Sequence, residues 1–472
     1  MEAWRPLAEK ALRGEPLESL DTGTASGFPL RPLYAPTEPA ALGRPYHRPW
    51  QVVQRVDGPD SAAQARADLE NGATALTLVF AGAPSAHGRG LTAATVDALD
   101  AALDDIKLEL VPLRLEAGAR GRAALALLAA LVERRGTPPA QLAAGLDPVG
   151  AAAAGAPSDF ASSVALADAH AAFRRLGVPG TVFLADGRIV AEAGASAATE
   201  LAFAMHVVAT LLRRLDEGGV PPCEALPSIG MALSASEDQF ATIAKLRAAR
   251  RLHALVAQAC GSDAPLALHA ETSHRMLAYS DPQTNLLRLT IAAFAAGVGG
   301  ADSVSVLPFD AEGTPFARRL ARNIQSLLIE ESHVARLDDP GAGAGAVEAY
   351  TDALAQAAWA RFQAWEGDLD VVASGRLAEA VQADAEAATE RLSLGERAII
   401  GVTIHPPASP SAVPSAAPVA PPADTAEAPD GDRFADLVAA AARGATLADL
   451  TDGTVPSGPA IAPERAAAAF GG

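Results

Sequence analysis

The chain has 472 residues, and 37 basic against 56 acidic side chains give it a formal net charge of −19. A surface this acidic repels phosphate backbones, so we expect no nucleic-acid partner. Hydrophobic residues make up 50% of the chain, enough for a large core. No basic-then-apolar leader opens the chain and no uncharged apolar run reaches about 18 residues, which predicts a cytoplasmic protein without a membrane span.

Residues 1–69 are predicted to form an N-terminal arm and lead-in. Residues 1–14 have helical spacing, whereas residues 27–34 and 44–50 hold too many prolines for a helix interior. Such a stretch is typical of an extended segment that lies on a surface.

From about residue 70, short runs of β type alternate with longer helical patterns. The predicted strands are residues 75–80, 108–113, 181–185, 229–233, 266–270 and 303–307, with weaker ones at 142–146 and 334–337. The predicted helices are residues 122–135, 162–176, 197–215, 237–259, 283–296 and 316–331. Eight strand–helix units predict an α/β fold, a (β/α)8 TIM barrel that with a C-terminal helical extension covers residues 70–405. An open doubly wound sheet is the alternative.

The end of the chain changes in composition. Residues 406–431 are rich in proline and alanine and predict an extended linker, because such a tract cannot bury a core. Residues 432–472 predict a short helical tail, with helical spacing over 432–443 and Gly444 as a C-cap.

Several residues suggest ligand chemistry, but each has a more ordinary interpretation. His170 lies in a sequence similar to the Asp-x-His-x-x-Gly cobalamin motif, yet Phe173 replaces the glycine and the spacing is helical. His269 and Glu271 match only half of a zinc-deaminase site, so we expect them at the C-terminal end of a barrel strand. The glycines of residues 341–345 lack the Gly-Lys-Ser ending of a phosphate loop and predict a flexible loop.

The chain has only two cysteines, Cys223 and Cys260. Two are too few for a disulfide framework or a structural zinc site, which predicts a reducing compartment. We expect both to pack as small apolar groups.

Between about residues 27 and 405, short sequence runs occur in the same order and with the same spacing as in one known protein family. They are residues 32–34, 43–46, 48–50, 243–252, 269–273, 281–291, 299–303, 317–325, 330–331 and 339–340. Through these runs the chain resembles the methylmalonyl-CoA mutase family. The resemblance favours the barrel over the open sheet, because the family is built on a barrel.

The departures from the family pattern fall on the residues that carry its chemistry. The tyrosine that abuts cobalamin and substrate in catalytic members aligns with Arg55. The tyrosine and histidine of the Ser-Gly-Tyr-His motif align with Arg188 and Ile189. In the His-x-Gln-Thr-Ser-Gly motif, Glu271 replaces the glutamine and His274 replaces the glycine. An isoleucine cannot polarise a thioester carbonyl as an imidazole does.

Two further elements of the family are missing. The Arg-x-Thr-Tyr motif that holds the acyl-CoA is absent, with residues 151–157 in the corresponding region. We also expect no cobalamin-binding domain after the linker. We therefore predict no catalytic, cofactor-binding or metal-binding residue on this chain.

The resemblance implies a non-catalytic small (beta) subunit of a heterodimeric methylmalonyl-CoA mutase, an isomerase. The partner, a large (alpha) catalytic subunit, is expected to bind adenosylcobalamin and to interconvert succinyl-CoA and methylmalonyl-CoA by a radical mechanism. This chain alone is predicted to be inactive. Residues 27–50 are the predicted contact with the partner, and packing on the chain's own barrel is the alternative.

Two other functions stay open. One is a stand-alone scaffold or regulator built on a degenerate barrel. The other is a divergent acyl-CoA mutase barrel that uses a separate cobalamin protein, although such an enzyme should keep the family's tyrosine and histidine.

Overall fold

The structure is a computed structural model that describes residues 3–40, 42–45, 47–155, 162–365, 371–411, 434–451 and 460–468. Eight parallel strands close into a barrel in which each strand pairs with the next along the chain and the last pairs with the first. The strands of the barrel are β3 Gln51–Val56, β4 Ala75–Val79, β5 Pro112–Glu116, β6 Gln141–Leu146, β7 Gly180–Asp186, β8 Ile229–Ala235, β9 Leu268–Thr272 and β10 Ser303–Ser305. The predicted (β/α)8 barrel is confirmed, and the open sheet is wrong.

Helices surround the barrel, and several begin at a side chain that caps them. Ser162, Ser196 and Asp238 each accept a hydrogen bond from a backbone N–H in the first turn of the helix that follows. No helix in the described part of the chain is long and apolar enough to span a membrane. The helices are α1 Trp4–Leu12, α2 Ser61–Glu70, α3 Val96–Ala102, α4 Gly121–Arg135, α5 Pro148–Ala153, α6 Ser163–Leu176, α7 Arg188–Glu192, α8 Ala197–Glu217, α9 Pro222–Ala225, α10 Gln239–Cys260, α11 Asn285–Val298, α12 Pro315–Glu330, α13 Gly345–Trp365, α14 Arg376–Ser393 and α15 Phe434–Ala442.

The barrel begins earlier than the sequence predicts. Strand β3 pairs with both β4 and β10, so residues 51–69 belong to the barrel rather than to the arm. The predicted strand at residues 334–337 is wrong, because Val334–Arg336 forms a 3-10 turn. The strand predicted at residues 108–113 is displaced: Leu108–Leu110 is also a 3-10 turn, and the strand starts at Pro112.

The last part of the arm packs into the core of its own chain. Trp50 is 2% exposed, and its Nε1 donates a hydrogen bond to Gln325 Oε1 at 3.1 Å. The indole lies so close to Gly297 that a Cβ there would meet the ring at 2.6 Å. Arg44 stacks on the same ring, 5.5 Å from its centroid, and donates to the Gly297 carbonyl at 2.6 Å. The expectation that residues 27–50 as a whole face a partner is therefore wrong for Trp50.

The middle of the arm follows the glycine loop of residues 341–345. The carbonyl of Ala35 lies 1.8 Å from where a Cβ of Gly345 would stand, so only glycine admits the arm there. The Thr37 N–H donates to the Gly343 carbonyl at 3.3 Å. The glycine loop thus receives the arm. Leu33 stays 36% exposed, and Tyr46, also predicted at the interface, lies outside the described residues.

The C-terminal part of the chain returns to the barrel. Most of the predicted linker lies outside the described residues, but the helix predicted over residues 432–443 is observed as α15. Helix α15 packs on α4 and α6 in the outer layer. In the arm, β1 Thr22–Gly23 and β2 Pro29–Leu30 form a short antiparallel ladder.

Candidate functional site

Ligands of (β/α)8 barrels bind at the carboxyl ends of the strands, and in this barrel charged side chains fill that position. They come from β3, the end of β5, the end of β7, the start of α7, and β9. All are buried, and we call them the charged layer: Arg55, Glu116, Asp186, Arg188 and Glu271.

The residues of the charged layer are joined by ion pairs through the barrel interior. Glu271 accepts hydrogen bonds from two arginines, from Arg55 Nη1 at 2.8 Å and from Arg188 Nη1 at 3.2 Å. Arg188 Nη2 also lies 2.7 Å from Asp186 Oδ2 and 3.0 Å from Glu116 Oε1. Every guanidinium in the layer is thus held by at least one carboxylate.

The pKa values of Glu116 and Arg188 keep these two groups charged near neutral pH. Burial alone raises the pKa of Glu116, but three neighbouring arginines outweigh burial and lower this pKa to about 2. Burial opposes the charge of Arg188 as well, yet the facing carboxylates hold its pKa well above the ordinary value. Groups fixed in one protonation state near neutral pH cannot act as general acids or bases.

Three of the departures noted in the sequence meet in this layer. Arg55 and Arg188, at the positions of family tyrosines, both bind Glu271, at the position of a family glutamine. The glutamate that replaces the family glutamine adds a negative charge, and the two arginines neutralise this charge. The sequence-based predictions did not include Glu116 and Asp186. Each is a carboxylate at the last position of a strand, which becomes evident only when the strand bounds are correct.

A cavity of about 210 Å³ lies beside the charged layer at the carboxyl end, and we call it the upper cavity. Ile189, at the position of the family histidine, lines it together with Glu192 and His87. Residues 460–463 also form part of its wall.

The segment of residues 460–468, here called the C-terminal strap, crosses this end of the barrel. The Ile461 N–H donates to the Ala153 carbonyl at 2.8 Å, and the Glu464 N–H donates to the Glu192 carbonyl at 2.8 Å. Arg465 stacks over the Tyr279 ring, 4.7 Å from its centroid. These contacts tie the strap to the segments that follow β6, β7 and β9, at the end of the barrel where ligands of such barrels bind.

Two histidines stack near the strap. The rings of His87 and His274 lie 4.3 Å apart and nearly parallel, and His274 Nε2 is 3.2 Å from the Tyr279 hydroxyl. Burial lowers both pKa values, that of His274 to about 4, so both rings are neutral near pH 7. Among the described residues, no group of three or more His, Cys, Asp or Glu side chains could hold a metal ion.

Glu192 makes stability depend on pH. Its two carboxylate oxygens accept from the backbone N–H groups of His274, at 3.1 Å, and Arg275, at 2.7 Å. Burial outweighs these bonds and raises its pKa from 4.5 to about 7, so the folded state holds a proton that the unfolded state has lost. The free energy of unfolding should then fall as pH rises from 4.5 to 7, by up to about 1.4 kcal/mol per pH unit.

Glu192→Gln is expected to make this dependence less steep, because glutamine does not titrate. Urea unfolding at pH 5, 6 and 7 measures the slope for each variant. Glu331→Gln, an exposed position, serves as the control and should keep the slope of the unmodified chain. An unchanged slope in Glu192→Gln contradicts the assignment.

The other residues considered in the sequence lie in structural surroundings. Glu271 lies near the C-terminal end of β9, as predicted, whereas His269 lies near the amino end of that strand, so the prediction is wrong for His269. His170 lies within α6, in the outer helical layer, where burial lowers its pKa. Cys260 packs partly against the core, but Cys223 is exposed, so the apolar packing predicted for Cys223 is wrong.

The family-like run at residues 243–252 lies in α10 and makes buried ion pairs. Lys245 pairs with Glu200 and donates to Ser234 Oγ at 2.8 Å. Arg247, which is fully buried, pairs with Glu348 at 2.7 Å. These ion pairs hold α10 against its neighbours.

The closed barrel of parallel strands with its surrounding helices defines the class of protein, a (β/α)8 barrel. The family model for methylmalonyl-CoA mutase matches residues 44–418. The chain belongs to the methylmalonyl-CoA mutase family.

Three relatives that this chain resembles are named as small subunits of methylmalonyl-CoA mutase. The chain is 37% identical to the methylmalonyl-CoA mutase small subunit of Streptomyces virginiae, over 86% of this chain and 70% of that one. It is 41% identical to a probable methylmalonyl-CoA mutase small subunit of Mycobacterium tuberculosis, over 75% of this chain and 61% of that one. It is 33% identical to the small subunit of Propionibacterium freudenreichii subsp. shermanii, over 77% of this chain. The chain thus spans 61% of the length of the latter two relatives.

Proposed function

We propose that this chain is the non-catalytic small subunit of a heterodimeric methylmalonyl-CoA mutase. The observation that carries the proposal is the charged layer, in which Arg55, Arg188 and Glu271 neutralise one another at the positions of the family's reactive residues. The larger subunit binds adenosylcobalamin and interconverts succinyl-CoA and methylmalonyl-CoA. This chain acts by holding the geometry of its partner, in the cytoplasm, where free cysteines persist.

The carboxyl end of this barrel does not fit adenosylcobalamin. The upper cavity holds about 210 Å³, below the roughly 300–1,000 Å³ of pockets for drug-sized ligands, and cobalamin is larger than those ligands. The C-terminal strap is hydrogen-bonded across the same end. His170, the residue with a likeness to a cobalt ligand, lies within α6 in the outer layer. No step of the reaction is therefore assigned to residues of this chain.

The same features disfavour an independent mutase that borrows cobalamin from a separate protein. Such an enzyme needs a group that can bind and polarise the thioester carbonyl. Ile189 has no donor at that position, and the neighbouring Arg188 is engaged by Asp186 and Glu271.

The proposal is tested by co-purification with a longer family member that keeps the family tyrosine and histidine and a cobalamin domain. A tagged chain is expected to retain that protein at a 1:1 ratio. Failure to bind any such protein favours the stand-alone scaffold and contradicts the proposal.

The exposed part of the arm is the expected contact. Leu33→Asp should lower co-purification at least tenfold, because a buried carboxylate without a partner is strongly unfavourable at an interface. Leu110→Asp is the matched control, since Leu110 is also exposed but lies outside the arm, in the 3-10 turn before β5. Both variants should keep the circular dichroism of the unmodified chain. Equal retention of both would remove the arm from the interface.

A further inference from the structure

A second cavity, of about 150 Å³, opens at the amino end of the barrel, and we call it the lower cavity. Its walls come from the first residues of the strands, and the charged layer separates it from the upper cavity. The side chains that matter for its chemistry are Gln51, Arg114, Gln141, His269 and Ser303.

Arg114 brings to this cavity a positive charge that no carboxylate among the described residues meets at salt-bridge distance. It lies in β5, where it is in register with Thr77 of β4. Its Nε is buried and has no hydrogen-bond partner among the described residues. Glu116, the next inward position on β5, is paired with Arg188. Burial lowers the pKa of Arg114 to about 10, which still leaves the guanidinium protonated near neutral pH.

His269 adds a second unpaired group. It is 2% exposed, and its Nε2 has no partner among the residues that the structure describes. Its Nδ1 lies 2.8 Å from Ser303 Oγ. Burial, with Arg114 nearby, lowers the pKa of His269 well below its ordinary value, so the ring is neutral. When the Ser303 hydroxyl donates to Nδ1, the ring proton is on Nε2, which makes that nitrogen a donor.

We propose that the lower cavity binds a small monovalent anion, of the size of formate or chloride, between the Arg114 guanidinium and His269 Nε2. Arg114 is partly exposed, and an anion in contact with its guanidinium supplies the counter-ion that no described carboxylate provides at salt-bridge distance. The cavity volume admits only a small ion with a few waters. Asp302, which also lines the cavity, disfavours a doubly charged ion such as phosphate. This site is independent of the mutase reaction.

The proposal is tested by thermal unfolding of the full chain at increasing concentrations of sodium formate. Sodium gluconate, whose anion is too large for the cavity, replaces formate so that the ionic strength stays constant. The melting temperature should rise with the logarithm of the formate concentration, as expected for one site on the folded state. Inorganic phosphate at the same ionic strength should give no such rise. No formate dependence overturns the proposal, and an equal effect of phosphate overturns the assignment to a monovalent ion.

Arg114→Met should abolish the formate dependence, whereas Arg66→Met, at an exposed ion pair, should leave it unchanged. An equal dependence in Arg114→Met overturns the site.

If Arg114→Met does not fold, the unmodified chain still decides the question. Crystals grown in sodium bromide should give an anomalous peak in contact with Arg114 and His269. Water alone at that position overturns the proposal.

Discussion

Replacing Arg188 by methionine is expected to destabilise the isolated chain by about 3–5 kcal/mol, because the substitution leaves buried carboxylates without their counter-ion. Asp186 and Glu116 lose a partner at 2.7 and 3.0 Å, and Glu271 loses one of its two arginines. The charge is the cause of this loss, since methionine keeps most of the apolar volume. Urea unfolding at pH 7 measures the change.

Two further variants separate charge from packing. Arg66→Met removes an exposed pair with Asp105 and should cost less than about 1 kcal/mol. Adding Glu271→Gln to Arg188→Met should recover part of the lost stability, because the layer then holds one buried negative charge fewer. An Arg188→Met chain as stable as the unmodified one would mean that the charged layer is not formed.

Trp50→Ala is expected to cost about 3–5 kcal/mol as well, since it empties a large buried volume next to β3. The indole packs on Gly297, and its Nε1 hydrogen bond to Gln325 is lost with it. This loss should appear in the isolated chain, without any partner. A residue of the partner interface would instead change the association and leave the stability of the isolated chain unaltered.

Trp4→Ala is the control for Trp50→Ala. Trp4 is 36% exposed on α1, so its truncation should change the free energy of unfolding by no more than about 0.5 kcal/mol. If Trp50→Ala unfolds at the same urea concentration as the unmodified chain, the packing of the arm on its own barrel is wrong.

Most of the barrel was predictable, because parallel strands buried on both faces leave continuous apolar runs between amphipathic helices. The run Ala75–Val79 is buried throughout and was predicted. Strand β3 was missed because Gln54 and Arg55 interrupt its apolar run. Arg55 belongs to the charged layer inside the barrel. Because this part of the barrel interior is polar, β3 lacks the continuous apolar run by which a buried strand is recognised.

The candidate site was predictable only in part. The resemblance identified Arg55 and Glu271 as departures, but their contact joins residues 216 positions apart, which no local pattern encodes. Glu116 was missed because the predicted strand covered residues 108–113 and ended before it. In the structure, Leu108–Leu110 forms a 3-10 turn and the strand begins only at Pro112. The sequence of the C-terminal strap shows no hydrophobic periodicity from which its position could be predicted, because its contacts with the barrel are made largely by backbone groups.

The most direct test of the account is the turnover of succinyl-CoA by the purified chain in the presence of adenosylcobalamin. The account predicts no methylmalonyl-CoA above the blank from this chain alone, and turnover once a longer family member with a cobalamin domain is added. In that complex, Glu271→Gln in this chain should leave the rate within about twofold, because the charged layer takes no part in the chemistry. Turnover by the chain alone, lost in Glu271→Gln, would contradict the account.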